Sequence, residues 1–232
     1  MSGVKAVESE LEELNPTELG PILVEHALAG EPVGLEGPPG GGKTALMIAA
    51  AKAANLHLFI CNAELEDTTD GKGLPFRDTE NPHSIIWLKD KKFLIDYPAA
   101  FFNDELPRAP TAVIGTRATM LLENRIDDVQ LPKGCWHSWA GNRTTDRAGA
   151  NRIPTIIYDR CYMYGTCYHA ESQIQFMLAD PEMDLLTMRF LRMKGDGALS
   201  FDPAKKINST PRAWSTIAKR LVPLRSRRSG KR

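Results

Sequence analysis

Residues 36–50 read EGPPGGGKTALMIAA, two prolines and four glycines set directly ahead of a lysine, a threonine and an alanine-rich run. Gly37-Pro38-Pro39-Gly40-Gly41-Gly42-Lys43-Thr44 fits the pattern G-x-x-x-x-G-K-[ST]. The stretch PVGLE before it (32–36) reads as a short strand, and TALMIAAAKAAN after it (44–55) is a strong helix on propensity alone. Glycines allow a backbone whose successive N–H groups turn inward as an anion nest. A helix starting near Thr44 adds free N–H groups and a positive dipole end. Gly37 to Ala45 are therefore the expected nucleotide-binding run. Lys43 would reach the β- and γ-phosphates, and the Thr44 hydroxyl would ligate Mg²⁺. The competing reading, a glycine-rich turn before an unrelated helix, does not explain the strand–loop–helix setting.

The rest of the chain sets bounds on that reading. With 232 residues, 42% hydrophobic and 25% charged, it has the composition of an ordinary globular protein with a sizeable core. Net charge is zero, but the ends differ: residues 1–20 are acidic, and residues 220–232 carry six basic residues and no acid. A basic tail suits nucleic acid or an acidic partner, although a solvated, disordered end is the plainer expectation. Cys61, Cys135, Cys161 and Cys167 form no CxxC pair, and the five histidines show no zinc-binding spacing. No signal peptide or membrane-length apolar run is evident, so a cytoplasmic protein with reduced cysteines is expected.

Strand and helix patterns alternate through the first two thirds and helices fill the last third. Residues 7–14 read as an acidic helical start. A helix over 15–30 has Asn15 as N-cap, Pro16 at its first position and Gly30 at its end. LHLFICNA (56–63) reads as a buried strand, 64–76 as a polar loop, and SIIWL and PAAFFN as further apolar segments. A helix at 112–125, a strand at 135–142, and a segment at 155–166 ending in a strand follow. The pattern predicts an α/β P-loop NTPase: a central parallel sheet flanked by helices, plus a small helical lid. The expected divisions are an N-terminal extension (1–14), a nucleotide-binding domain (15–168), a lid (169–222) and a basic tail (223–232).

A phosphate cradle alone does not separate a kinase from a motor. Asp104-Glu105 ends the apolar run AAFF. Its first carboxylate can hold Mg²⁺ through water, and its second can orient and deprotonate an attacking water. A small-molecule kinase has no need of that second carboxylate. Asn142 ends the next apolar strand, where a neutral amide can hydrogen-bond both the γ-phosphate and the lytic water without adding charge.

These segments resemble the AAA+ ATPases, specifically their MoxR-like branch in the short form found in phages and prophages. PVGLEGPPGGGKT resembles the Walker A region, PAAFFNDELPRAP the Walker B region, AGNRTTDRAGANRIP the sensor 1 strand and loop, and STPRAW sensor 2. The resemblance implies catalytic roles for Glu105, Asn142, Arg212 and Arg160, with Thr44 and Asp104 at the metal. Arg212 would touch the γ-phosphate of its own subunit. Arg160 would reach a neighbour's site as an arginine finger, with Arg147 and Arg152 as rivals for that part. Ile22, in the helix before the cradle, is expected as a core residue, with an adenine contact as the alternative. Asn103, Gly34 and Glu36 depart from the family pattern and are expected to weaken their strands.

The resemblance further implies a Mg²⁺-ATP-dependent remodelling motor, a homo-oligomeric, six-membered ring, and a partner with a von Willebrand factor A domain. The client would be gripped by loops around 64–80 or 123–134. Alternatives left open are a DNA-associated motor or loader using the basic tail, a P-loop kinase, and a nucleotide-binding scaffold with little turnover.

Overall fold

The computed structural model describes residues 11–81, 83–143, 146 and 153–229, with side chains as far as Val222. Its centre is a six-stranded parallel sheet of β1 (Glu13–Leu14), β2 (Val33–Glu36), β3 (His57–Asn62), β6 (Ala99–Asp104), β9 (Trp136–Gly141) and β10 (Tyr162–Thr166). The strand order is β1-β10-β2-β9-β6-β3. The chain leaves β2 for the β3 edge and returns through β6 and β9, then crosses to β10 on the other side of β2. The order therefore reverses around β2, and a crevice opens at the carboxyl end of that strand.

Alternation along β6 shows how the sheet is covered. Ala100 and Phe102 pack on one face with Leu19, Leu23, Met47 and Ala50 of α1 (Pro16–Ala29) and α2 (Lys43–Ala53). Ala99 and Phe101 point the other way, toward Phe93, Met120 and Leu131. On that second face, Trp139 of β9 packs with Leu106, with Val113 and Ile114 of α4 (Thr111–Glu123) and with Ile157 of α5 (Thr155–Tyr158). A separate core of Ile174, Met177, Met188, Leu191 and Ala218 joins α6 (Ala170–Leu178), α7 (Leu185–Lys194) and α8 (Pro211–Ser229).

The helix expected over 15–30 forms as read. Asn15 caps α1 with a complete capping box to Glu18, and Gly30 closes it at φ +69°. Other elements depart from the sequence reading for identifiable reasons. Glu13 and Leu14, expected in a helical start, instead pair with Gly165 and Thr166, using the open edge of β10. Strand β3 is not fully buried: it is the edge of the sheet, bonded only to β6, and His57, Ile60 and Asn62 are exposed. The polar loop at 64–76 contains α3 (Thr68–Lys72) and β4 (Leu74–Arg77), which pairs antiparallel with β5 (Ile85–Leu88). The last helix does not stop at Val222, and its backbone stays helical to Ser229, through most of the segment expected to be disordered.

The departures at 34 and 36 do not weaken β2. A Cβ on Gly34 would lie 2.4 Å from Met163 Sδ and 2.6 Å from the Trp139 ring, so glycine admits the buried indole. Glu36 accepts a 2.5 Å hydrogen bond from the Tyr158 hydroxyl. Asn103 is fully buried and donates to the Ser138 carbonyl at 3.3 Å, tying β6 to β9.

The four cysteines are unpaired, and Cys61, Cys135 and Cys161 are buried. Among the described residues, no helix is long and apolar enough to cross a membrane. One buried charge anchors the second face. Arg117 of α4 is 1% exposed, pairs with Glu66 and lies 5.8 Å from the Phe93 ring centre. Removing one member of a buried pair strands the other, so Arg117→Ala should lower the unfolding free energy by about 3 kcal/mol. Urea unfolding would measure it, and a loss below about 1 kcal/mol would mean that water or Lys92 replaces the guanidinium.

Candidate functional site

The loop after β2 owes its shape to its glycines. Gly40 and Gly42 adopt φ of +71° and +88°, in the left-handed region where a side chain is strained. Gly42 is the residue that starts α2, so the free N–H groups of that helix face the loop. Two groups from the C-terminal part of the chain hold the loop from the other side. The Tyr168 hydroxyl donates to Pro39 O at 2.5 Å, and the Arg212 N–H donates to Gly40 O at 3.3 Å.

Lys43 is 6% exposed and folds back into the loop. Its ammonium donates to Gly37 O at 2.9 Å, Pro38 O at 3.1 Å and Asn142 Oδ1 at 2.9 Å. Burial pulls its pKa down from 10.5 to about 8, against the pull of Glu105 and Asp104, which favour the charged form.

The carboxyl ends of β6 and β9 bring the other groups in. Asp104 closes β6, and its Oδ2 accepts from the Thr44 hydroxyl at 2.8 Å. The chain then turns through Glu105 at φ +54°, an uncommon conformation for a side-chain-bearing residue and one that costs on the order of 1 kcal/mol. That turn aims Glu105 back across the sheet. Asn142, one residue past β9, donates from Nδ2 to Glu105 Oε2 at 3.3 Å while its Oδ1 accepts from Lys43. Burial raises the Glu105 pKa and the adjacent Asp104 charge adds to it, while Lys43 opposes both.

These residues line one cavity of about 850 Å³. Pro39 to Ala45, Asp104, Glu105, Asn142 and Arg212 all lie on its wall. Gly37 and Pro38 do not; they contribute carbonyls to Lys43 from behind. Ile22 is half-buried and does not line the cavity, whose far end is formed about one and a half turns earlier in α1 by Pro16 and Thr17. Arg160 is exposed and lies outside the cavity of its own chain. Arg147 and Arg152 fall outside the described residues.

Residues not singled out from the sequence complete the wall. Arg108, paired with Glu64 at 2.8 Å, stands near Glu105, and α6 and α8 supply Gln173, Phe176 and Ser215. The N-cap and proline at 15–16 could have pointed to the α1 end; nothing in the lid sequence marked its contacts. The Thr44 hydroxyl and Asp104 carboxylate, side by side in an open cavity, are hard oxygen donors of the kind Mg²⁺ uses beside phosphate oxygens and water. Among the described residues there is no cluster of three or more His, Cys, Asp or Glu to hold a metal unaided.

The parallel sheet reverses around the strand that feeds the glycine loop, and all the chemistry gathers at the carboxyl ends of its strands. The fold is that of a P-loop NTPase. No family model matches the chain, and no curated protein does. Solved structures do. A candidate ATPase from Cytophaga hutchinsonii ATCC 33406 superposes with a TM-score of 0.50 at 18% identity, covering 71% of this chain and 51% of that one. NtrX from Brucella abortus gives a TM-score of 0.54 at 12% identity, covering 93% of this chain and 52% of that one. NtrX in complex with ADP gives the same score and identity over 90% and 49%. The chain thus spans about half the length of the structures it matches, and the likeness is one of fold.

The depressed Lys43 pKa has a measurable consequence. Between about pH 8 and 10.5 the unfolded chain holds a proton on Lys43 that the folded chain has released, so stability rises with pH across that window. Lys43→Met removes the titration. Without nucleotide, the stability difference between wild type and Lys43→Met should shift in favour of wild type as pH rises from 8 to 10, read by urea unfolding. A difference that does not change with pH would contradict the burial account.

Proposed function

We propose that the chain is a Mg²⁺-dependent ATPase resembling the MoxR-like AAA+ branch, acting in a homo-oligomeric ring, a hexamer in the form expected from the sequence, to remodel a protein client. The observation that carries the hydrolytic part is the Asn142 side chain, which touches Lys43 with one atom and Glu105 with the other. A phosphate-binding cation and a half-buried carboxylate of raised pKa are thereby fixed at one spot. A kinase, whose acceptor is its substrate, needs no such carboxylate. The ADP held by the NtrX structure is consistent with a nucleotide in this fold.

The groups divide the work by chemistry. The loop N–H groups and Lys43 bind the β- and γ-phosphates, which replace the carbonyl partners that Lys43 now holds. Asn142 orients the attacking water with Glu105, and Glu105 accepts its proton. Arg212, carried by α8 with its N–H on Gly40 O, lines the cavity, and its guanidinium would meet the γ-phosphate. Mg²⁺, when bound with nucleotide, would sit at the Thr44 hydroxyl and Asp104 and neutralise phosphate charge.

The ring and client parts rest on other features. Arg160 is exposed on α5's C-terminal side, clear of its own cavity, as a residue serving a neighbour's site would be. The β4–β5 hairpin exposes Leu74, Phe76, Ile85, Ile86, Trp87 and Leu88. Lys89 at its base pairs with Asp127 and Asp128 at 2.5 and 2.8 Å, which ties it to the β7 (Arg125–Ile126) and β8 (Val129–Gln130) hairpin. The two segments expected to grip a client therefore form one unit. A von Willebrand factor A domain partner and a phage-type origin follow from the resemblance alone, and a cytoplasmic setting from the sequence pattern.

The test separates binding from chemistry. Lys43→Ala should abolish ATP binding. Glu105→Gln should bind ATP as wild type does, turn it over on the order of 10² to 10⁴ times more slowly, and accumulate as an oligomer in gel filtration with ATP. Hydrolysis at wild-type rate by Glu105→Gln would overturn the assignment, and a variant that stays monomeric at high concentration with ATP would overturn the ring.

A further inference from the structure

Beyond its phosphate end, the cavity runs along α2 past Leu46 and Ala49. These residues lie three and six positions after Lys43, about 4.5 and 9 Å along the helix axis. That is where a nucleoside must lie once its phosphates occupy the loop. Pro16, Leu46, Ala49 and Phe176 give this end apolar walls suited to the faces of a flat ring.

Its polar equipment is unequal. The Ser172 hydroxyl is already engaged, by Thr17 Oγ1 at 2.6 Å and His169 Nδ1 at 2.7 Å. Gln173 is different. It is 8% exposed, and its Nε2 donates to Ser215 Oγ of α8 at 2.7 Å, a bond that fixes the plane of the amide. Ser215 takes one of the two Nε2 hydrogens. The second hydrogen remains, and among the described residues Gln173 Oε1 has no hydrogen-bond partner. One lid helix thus presents a fixed donor beside a fixed acceptor at the base end of the cavity.

We propose that Gln173, oriented by Ser215, is the residue that reads the base and makes the site adenine-specific. The inference rests on the nucleotide-binding reading above and names its selectivity. Adenine offers an N7 acceptor beside an N6 amino donor, the pair that a glutamine amide meets with two hydrogen bonds. Guanine offers acceptors at both N7 and O6, so Oε1 would face O6 with no hydrogen between them. Turning the amide over does not rescue guanine: the Ser215 hydroxyl can donate as well as accept, but one amide offers a single donor edge and a single acceptor edge, and one of guanine's two acceptors then faces Oε1 in either orientation. Because Gln173 and Ser215 sit on α6 and α8, the correct base also bridges the helical lid to the start of α1, where Pro16 and Thr17 stand.

Competition against a fluorescent ATP analogue tests this with MgATP, MgGTP, MgITP and Mg-7-deaza-ATP. Wild type should prefer ATP over GTP and ITP by about tenfold or more, and 7-deaza-ATP, which lacks the N7 acceptor, should fall between them. Gln173→Leu should lose about tenfold in ATP affinity while its GTP affinity stays the same, bringing the ratio close to one. Ser215→Ala, which frees the amide without removing it, should lower the ratio part-way. Equal ATP and GTP affinities in wild type, with both abolished by Lys43→Ala, would overturn the base assignment and leave the phosphate site standing. So would a Gln173→Leu variant that weakens ATP and GTP alike. Failure of every nucleotide to compete would remove the nucleotide reading, and the base assignment with it.

Discussion

A buried ammonium at the carboxyl end of a parallel sheet is the constraint around which this molecule is arranged. Charge is costly to bury, and Lys43 is tolerated because two loop carbonyls and the Asn142 amide surround it at 2.9 to 3.1 Å. The loop that supplies those carbonyls turns into α2 with Gly40 and Gly42 at left-handed backbone angles. Asn142 can reach Lys43 only because β9 lies between β2 and β6. The cradle, the strand order and the amide are thus one solution to placing a cation where phosphate will come.

The same arrangement couples the two cores. The helical part has its own interior around Ile174, Met177 and Leu191, yet it meets the glycine loop through the Tyr168 hydroxyl and the Arg212 N–H. In the proposed function, phosphates would bond the N–H groups of the same loop whose carbonyls those two groups hold. In the motor we propose, this is how an event a few ångströms across becomes a rigid-body movement of packed helices. A base held between α1 and α6 would complete the bridge from the other end of the cavity.

Much of this was legible in the sequence where the physics is local. The glycine loop is written in residues that permit special backbone angles, and α1 in its capping box. The Asp-Glu pair stands out because carboxylates rarely follow so apolar a run. What escaped depends on neighbours distant in sequence. Gly34 reads as a weak strand residue until Trp139 is seen lying against it, and Glu36 until the Tyr158 hydroxyl reaches it. The edge position of β3 follows from sheet order, which alternation along a strand does not encode. The β4–β5 hairpin hid because its apolar residues point to both faces and cover no core. Ile22, first a core residue and only second an adenine contact in the sequence reading, lies off the cavity, which meets α1 at its capped start, where Pro16 and Thr17 face the lid.

In the proposed mechanism, one amide makes a phosphate cradle into a hydrolytic site by holding Lys43 and Glu105 together. Single-turnover hydrolysis of MgATP by Asn142→Ala, with binding measured in parallel, tests it most directly. Affinity should stay within a few-fold of wild type while hydrolysis slows on the order of 10², as when a positioned donor is lost from an active site. Loss of binding with an unchanged rate for the nucleotide that does bind would contradict it, and would make Asn142 a support for the Lys43 cradle alone.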